Sequence, residues 1–148
     1  MELPITPALV KDAMDHIPLR DVGRFMQAAS AVHRFQPKVA EGLADVIRSI
    51  TPNVGLFVLD RGKEPVTTLV CVQDGELAGL FEVATAEAER GMGHGRRAIL
   101  SALRWARVSG ARRAWLQVEA DNRIAMGLYR SMGFSEVYRY HYRRPPGT

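Results

Sequence analysis

The run Arg90-Gly91-Met92-Gly93-His94-Gly95 stands between an apolar segment, Gly79 to Thr85, and an amphipathic one, Arg96 to Val108. The first reads as a buried strand. The second reads as a helix with Ile99, Leu103 and Ala106 on one face. The chain must therefore pass from strand to helix through a loop with glycine at alternate positions. Glycine lets the backbone come close to a bulky group. A helix start leaves about four N–H groups unpaired and gathers roughly half a positive charge. Together these features form a cradle for a diphosphate. A glycine-rich turn that binds nothing has the same outline, so a second signal is needed.

Two common phosphate motifs are excluded by count. From Gly91, the third glycine of G-x-G-x-x-G would fall at Arg96, and no Gly-Lys-Ser/Thr follows the loop. The pattern that fits is [Gln/Arg]-x-x-Gly-x-Gly, with Arg90, Gly93 and Gly95 in the specified places. Downstream stands Asn122-Arg123-Ile124-Ala125-Met126-Gly127-Leu128-Tyr129-Arg130-Ser131-Met132-Gly133-Phe134. It satisfies N-x-x-A-x-x-L-Y-x-x-x-G-F at every specified position. Asn122 and Tyr129 are seven residues apart, almost two helical turns, and are expected to share a face with small Ala125 between them. Asp121 is placed to cap that helix, and Gly133 to end it in a left-handed conformation.

These two motifs resemble those of the GNAT acetyltransferase superfamily. The likeness is close from Gly79 to Arg143 and loose back to Val54. The whole also resembles the C-terminal catalytic half of longer, two-part members. The resemblance implies an α/β fold of the α+β kind: a mixed, mostly antiparallel sheet flanked by helices and splayed at a cofactor cleft. It implies transfer of an acetyl group from acetyl-coenzyme A to a primary amine of a small molecule or peptide. By motif position, Val83, Ala84 and Thr85 hold the pantetheine arm and thioester. Arg90, Gly91, Met92, Gly93, His94, Gly95 and Arg96 take the diphosphate. Asn122 contacts the pantetheine, and Tyr129 protonates the departing thiolate. A phenol of pKa about 10 suits that task beside a thiol of about 8.5.

The general base stays open. Some family members carry a glutamate where this chain has Gly79, and others where it has Gln117. Glu82 and Glu119 are the nearby acids. On a regular strand Glu119 shares a face with Gln117, and Glu82 faces away from Gly79 unless a bulge intervenes. A solvated or capping carboxylate, with water relaying the proton, is the competing reading. His94 reads as a local substitution in the loop, and His16, His33 and His141 have no partners at metal-ligand spacing. No metal is expected. A non-catalytic acyl-coenzyme A sensor or subunit, and a structural half completed by dimerisation, are the alternative functions.

Composition fits one domain spanning 1–148, with 148 residues, 47% hydrophobic and 24% charged. The lone Cys71 lies in an apolar run and reads as core filler. No segment approaches the ~18 apolar residues of a membrane span, and no signal-peptide pattern opens the chain, so a cytoplasmic protein is expected. Net charge is +4. Its arginines are spread over several segments without a nucleic-acid motif. That favours a solvated basic surface and attraction for a polyanionic cofactor over nucleic-acid binding.

Residues 1–50 read as a helical, acceptor-side segment, and 54–143 as the sheet and acetyl-coenzyme A core. Helices are expected over Ala8–His16, Leu19–His33 and Lys38–Ile50. In the second, Val22, Phe25, Met26 and Ala29 share a face. In the third, Val39, Leu43, Val46 and Ile47 face inward. Strands follow at Gly55–Leu59, Val66–Gln73 and Leu77–Thr85, joined by turns at Asp60–Pro65 and Asp74-Gly75. Ala114–Glu119 and Ser135–Arg143 read as later strands, and Leu3-Pro4-Ile5-Thr6 as a weak first one. Tyr138, Tyr140 and Tyr142 lie on one face of the last strand. An open sheet edge there points to a homodimer through Val137–Arg143.

Overall fold

The computed structural model describes residues 1–33, 36–50 and 53–136. Its order is β1 (Glu2–Pro4), α1 (Val22–His33), α2 (Pro37–Ser49), β2 (Asn53–Arg61), β3 (Glu64–Asp74), β4 (Leu77–Thr85), α3 (His94–Val108), β5 (Arg113–Leu116) and α4 (Arg123–Met132). The strands form one sheet in the order β1-β5-β4-β3-β2. All neighbours are antiparallel except β4 and β5, which α3 connects as a parallel pair. This is the expected mixed, mostly antiparallel sheet.

Each face of the sheet carries its own apolar cluster. On one, α3 and α4 pack over Phe57, Leu69, Cys71 and Leu80. Ile99, Leu103 and Ala106 are fully buried there, as their shared helix face requires. Cys71 lies in the same cluster, and burial pushes its thiol up to about 12. On the other face, Phe25, Met26 and Ala29 of α1 and Ala44 and Ile47 of α2 cover Leu56 and Val70. The α2 stripe is only half used. Val39 and Val46 are 53% and 60% exposed, against the expectation that they face inward.

Four boundaries differ from the sequence reading. The segment Ala8–His16 is not a helix. Residues 7–12 form turns, and the Leu9 N–H donates to Thr6 Oγ1 at 3.2 Å. The Ala13 carbonyl accepts from Arg104 Nη1 at 3.2 Å. Those outside partners outcompete the unfavourable nucleation of a short helix. Helix α1 starts late because Asp21 caps it, accepting from the Arg24 N–H at 3.2 Å, while the Leu19 N–H donates to the Leu56 carbonyl of β2 at 2.8 Å. Strand β5 ends at Leu116, short of Glu119. The α4 helix is capped by Asn122, not Asp121: Asn122 Oδ1 accepts from the Ala125 N–H at 3.2 Å. Both are good caps, and Asn122 sits one residue nearer the first turn.

The weak first strand is real, pairing Glu2 with Trp115 and Pro4 with Arg113. Ser135 bridges to Glu2. The tyrosine-bearing stretch Val137–Arg143, and with it the expected dimer contact, lies outside the described residues. No helix among them is long and apolar enough to cross a membrane.

The fold depends on α3 seating. Leu103→Ala at this fully buried position is expected to cost about 2–5 kcal/mol of stability, read as a lower urea midpoint with an unchanged slope.

Candidate active site

Strand β4 is interrupted in the middle. Thr68 of β3 pairs with Ala84, but Val70 pairs with Phe81. Leu69 therefore faces two residues, Glu82 and Val83, which is a β-bulge. Glu82 holds φ of 53°, the left-handed region that a non-glycine residue adopts at a cost. Pairing of β4 with β5 stops at Leu80–Leu116, just before the bulge. Beyond it β3 is the only strand paired with β4 among the described residues, and the sheet splits. Glu82, Val83, Ala84 and Thr85 thus border a gap on the β5 side.

The glycine loop begins where this free edge ends. Gly91 and Gly93 have φ of 81° and 79°. A side chain at Gly93 would be strained whatever the space around it. Gly93 is the N-cap of α3 and supplies no capping side chain. The N–H groups from Gly91 to Arg96 have no acceptor among the described residues, and the first to bond is that of Arg97, to the Gly93 carbonyl at 3.1 Å. No acidic residue stands in the first turn. Among the described residues nothing competes for these donors, and with the helix dipole they suit an anion. Gly95 has a steric role. A Cβ there would lie 3.4 Å from Thr85 Oγ1 and 3.6 Å from Leu128, so β4, α3 and α4 converge on this point.

The loop is fastened from outside. Glu89, in a single 3-10 turn at Glu87–Glu89, accepts from Arg61 Nη1 at 3.0 Å. Arg97 donates to His94 Nδ1 and to the Met92 carbonyl, the latter at 3.3 Å. His94 Nε2 lies 3.4 Å from Glu89. Arg90 Nε reaches the Thr85 carbonyl at 3.4 Å. His94, expected in the loop, is the first residue of α3, and its ring is taken up by Glu89 and Arg97. Neither Arg61 nor Glu89 carries a signal in the sequence. Their relevance comes from long-range folding.

Tyr129 sits on α4 with its ring 7% exposed and edge-on to Phe134, centroids 5.8 Å apart. The left-handed Gly133, φ 105°, turns the chain so that Phe134 can fold back there. Burial raises the phenol above its ordinary value. Its hydroxyl has no hydrogen-bond partner among the described residues. Asn122 is the N-cap of α4, one residue before the helix begins. Its Oδ1 is engaged in capping, which leaves the Nδ2 donors for other work.

The two acids part company. Glu82 lines a groove of about 500 Å³ together with Leu77, Phe81 and Trp115, on the sheet face that carries α2. This reverses the expectation from strict alternation that Glu82 faces away from Gly79, because the bulge inserts one residue. Gly79 itself has no room for a side chain, since a Cβ would stand 2.8 Å from both the Phe81 and Trp115 rings. Glu119 is exposed in the loop after β5, where its alternation with Gln117 no longer applies. Among the described residues no His, Cys, Asp and Glu cluster could hold a metal.

Comparison with known proteins fits this geometry. The chain is 36% identical over 111 residues to YobR of Bacillus subtilis (strain 168), described as an uncharacterized N-acetyltransferase. The match covers 74% of this chain and 44% of YobR, so the chain spans less than half the length of that curated relative. Its fold superposes with a TM-score of 0.67 on the aminoglycoside N-acetyltransferase AAC(6')-Iy in complex with a coenzyme A bisubstrate analogue, at 13% identity, covering 84% of this chain and 90% of that one. A transcriptional regulator from Bacillus halodurans C-125 gives the same TM-score of 0.67 at 20% identity, covering 82% and 93%. Glucosamine-6-phosphate N-acetyltransferase from Arabidopsis thaliana gives 0.62 at 12% identity, covering 82% and 91%. The acetyltransferase (GNAT) family profile matches residues 24–134, and the chain belongs to that family.

Proposed function

We propose that this chain moves an acetyl group from acetyl-coenzyme A to a primary amine. The observation that carries the reading is the row of unpaired N–H groups from Gly91 to Arg96, set where the free edge of β4 meets the start of α3. A diphosphate fits those donors, and Arg90, Arg96 and Arg97 add positive charge beside them. The peptide-like pantetheine fits the unpaired edge of Val83, Ala84 and Thr85, with Asn122 Nδ2 as a further donor. Acetyl-coenzyme A supplies a thioester carbonyl that an amine can attack.

Of the two acids the geometry favours Glu82 as base. It stands at the bulge beside the split, whereas Glu119 is displaced into an exposed loop. Glu82 takes a proton from the ammonium, and the freed nitrogen attacks the thioester carbonyl carbon. As the carbon–sulfur bond breaks, Tyr129 gives its proton to sulfur. The new amide nitrogen sheds its second proton, which restores the phenol. A raised phenol pKa keeps Tyr129 protonated at neutral pH until charge develops on sulfur.

Three outcomes test this. Gly93→Val strains a left-handed position in an exposed loop, so coenzyme A affinity by calorimetry falls at least tenfold. The melting temperature drops only by the ~2–4 °C per kcal/mol typical of this size. Asn122→Asp keeps an acceptor for the cap but loses the amide donors. Its stability stays within about 0.5 kcal/mol while coenzyme A affinity falls several-fold, whereas Asn122→Ala also loses about 1 kcal/mol of stability. Tyr129→Phe keeps the ring and removes the acid. Turnover is expected to fall by about 10²–10⁴ with coenzyme A affinity within threefold. Wild-type turnover in Tyr129→Phe, where chemistry limits, would remove Tyr129 from the mechanism. Coenzyme A binding with no acetylation of any amine would make the chain a sensor.

A further inference from the structure

The groove that ends at Glu82 has a composition of its own. Leu43, Val46 and Ile47 of α2 form one wall, and Leu77, Phe81 and Trp115 form the floor. Leu77, Phe81 and Val46 remain 49%, 37% and 60% exposed, although each is large and apolar. Among the described residues α1 and α2 cover Leu56 of β2 and Val70 of β3, and no helix covers Leu77 and Phe81 of β4 in the same way. The only charged ones among the described residues that line the groove are Asp74 and Glu82. Neither has an ion-pair or hydrogen-bond partner for its carboxylate among the described residues. Among the described residues no Lys or Arg stands in this lining. Asp74 pairs with Leu77 across the hairpin, five residues before Glu82, so the backbone positions of the two acids are roughly 16 Å apart along the strand. The groove is therefore long and apolar between two carboxylates, and the one at Glu82 stands where it meets the split.

We infer that this groove is the acceptor site, and that it takes a primary amine carried on an extended alkyl or arylalkyl body. The inference rests on the acetyl-transfer reading above and adds the acceptor's chemical class. Charge complementarity places the ammonium at Glu82, beside the gap where the thioester lies in that reading. The apolar body then runs back along Leu77 and Trp115. A polyhydroxylated amine would leave its hydroxyls unpaired against these walls, and a carboxylate or phosphate would meet only repulsion.

Two measurements test the groove separately from the transfer chemistry. The first is binding of octylammonium by calorimetry, with no acetyl donor present. Octylammonium should bind at least tenfold tighter than octanoate, which has the same body and the opposite charge. Leu77→Lys changes a half-exposed residue at the start of a strand, so the fold tolerates it. This variant should weaken octylammonium at least tenfold and leave coenzyme A affinity unchanged. The second is acetylation with acetyl-coenzyme A across butylamine, hexylamine, octylamine and glucosamine. Each added methylene should raise kcat/KM two- to fourfold until the groove is full, and octylamine should exceed glucosamine at least tenfold. Equal binding of octylammonium and octanoate, indifference to Leu77→Lys, or a preference for glucosamine would each overturn the proposal. Failure to bind coenzyme A would overturn the acetyl-transfer reading instead, and the octylammonium result would still decide the groove.

Discussion

Everything distinctive about this sheet follows from one extra residue in β4. Opposite Leu69 the strand offers both Glu82 and Val83, and from that point β4 and β5 no longer touch. A regular strand would have kept pairing with β5 and sealed the sheet into a wall between its two faces. The bulge breaks the ladder and bends the strand. Backbone groups of Glu82 to Thr85 are left without a strand on that side, directly before the glycine loop. The same residue that opens the sheet also carries a carboxylate. Splitting of the sheet, the supply of main-chain partners and the placement of an acid are one structural event.

The glycine loop answers a different problem. A cradle built from bare N–H groups must not be capped by its own chain, yet an uncapped loop of left-handed glycines is floppy. The chain keeps acidic and capping side chains out of the first turn of α3 and holds the loop by its flanks. Arg61 grips Glu89, Glu89 and Arg97 grip His94, and Arg97 grips the Met92 carbonyl. None of these contacts uses a backbone N–H from Gly91 to Arg96. Exposed ion pairs contribute little to global stability, so the effect of this set is local. It restricts the loop before an anion arrives, which lowers the ordering cost of binding.

Legibility in the sequence followed the range of the interactions. The glycine loop, α3 and the Asn122–Phe134 segment were readable because their signals are local: positive-φ glycines, a 3.6-residue apolar period and an N-cap several turns before a C-cap glycine. The α1 face of Phe25, Met26 and Ala29 was readable for the same reason. Ala8–His16 misled because its pattern is helical while its backbone is held by a local turn on Thr6 and by Arg104, which only the tertiary structure brings near. Asp121 and Asn122 are adjacent and both cap well, so composition could not choose between them. Val39 and Val46 continue the α2 stripe, but how much of a stripe is covered depends on how far the next layer extends. The bulge was invisible for the plainest reason, since a bulge is a property of two paired strands and only one of them contains it.

Parity along β4 shows what that blindness hid. Glu82 is three residues from Gly79, and an odd separation on a regular strand means opposite faces. The inserted residue changes the count, so Glu82 lines the groove with Leu77 and Phe81 and lies on the side that Gly79 serves. Gly79 meanwhile has been given up to packing. The Phe81 and Trp115 rings meet edge to face at 5.1 Å over the space its side chain would need. Filling position 79 with rings gives the groove its apolar surface, and the bulge returns an acid to the same face three residues later, at the edge of the split. The left-handed backbone at Glu82 costs roughly 1–3 kcal/mol. That strain falls on the residue that follows the last β4–β5 pairing by two positions and that lines the groove.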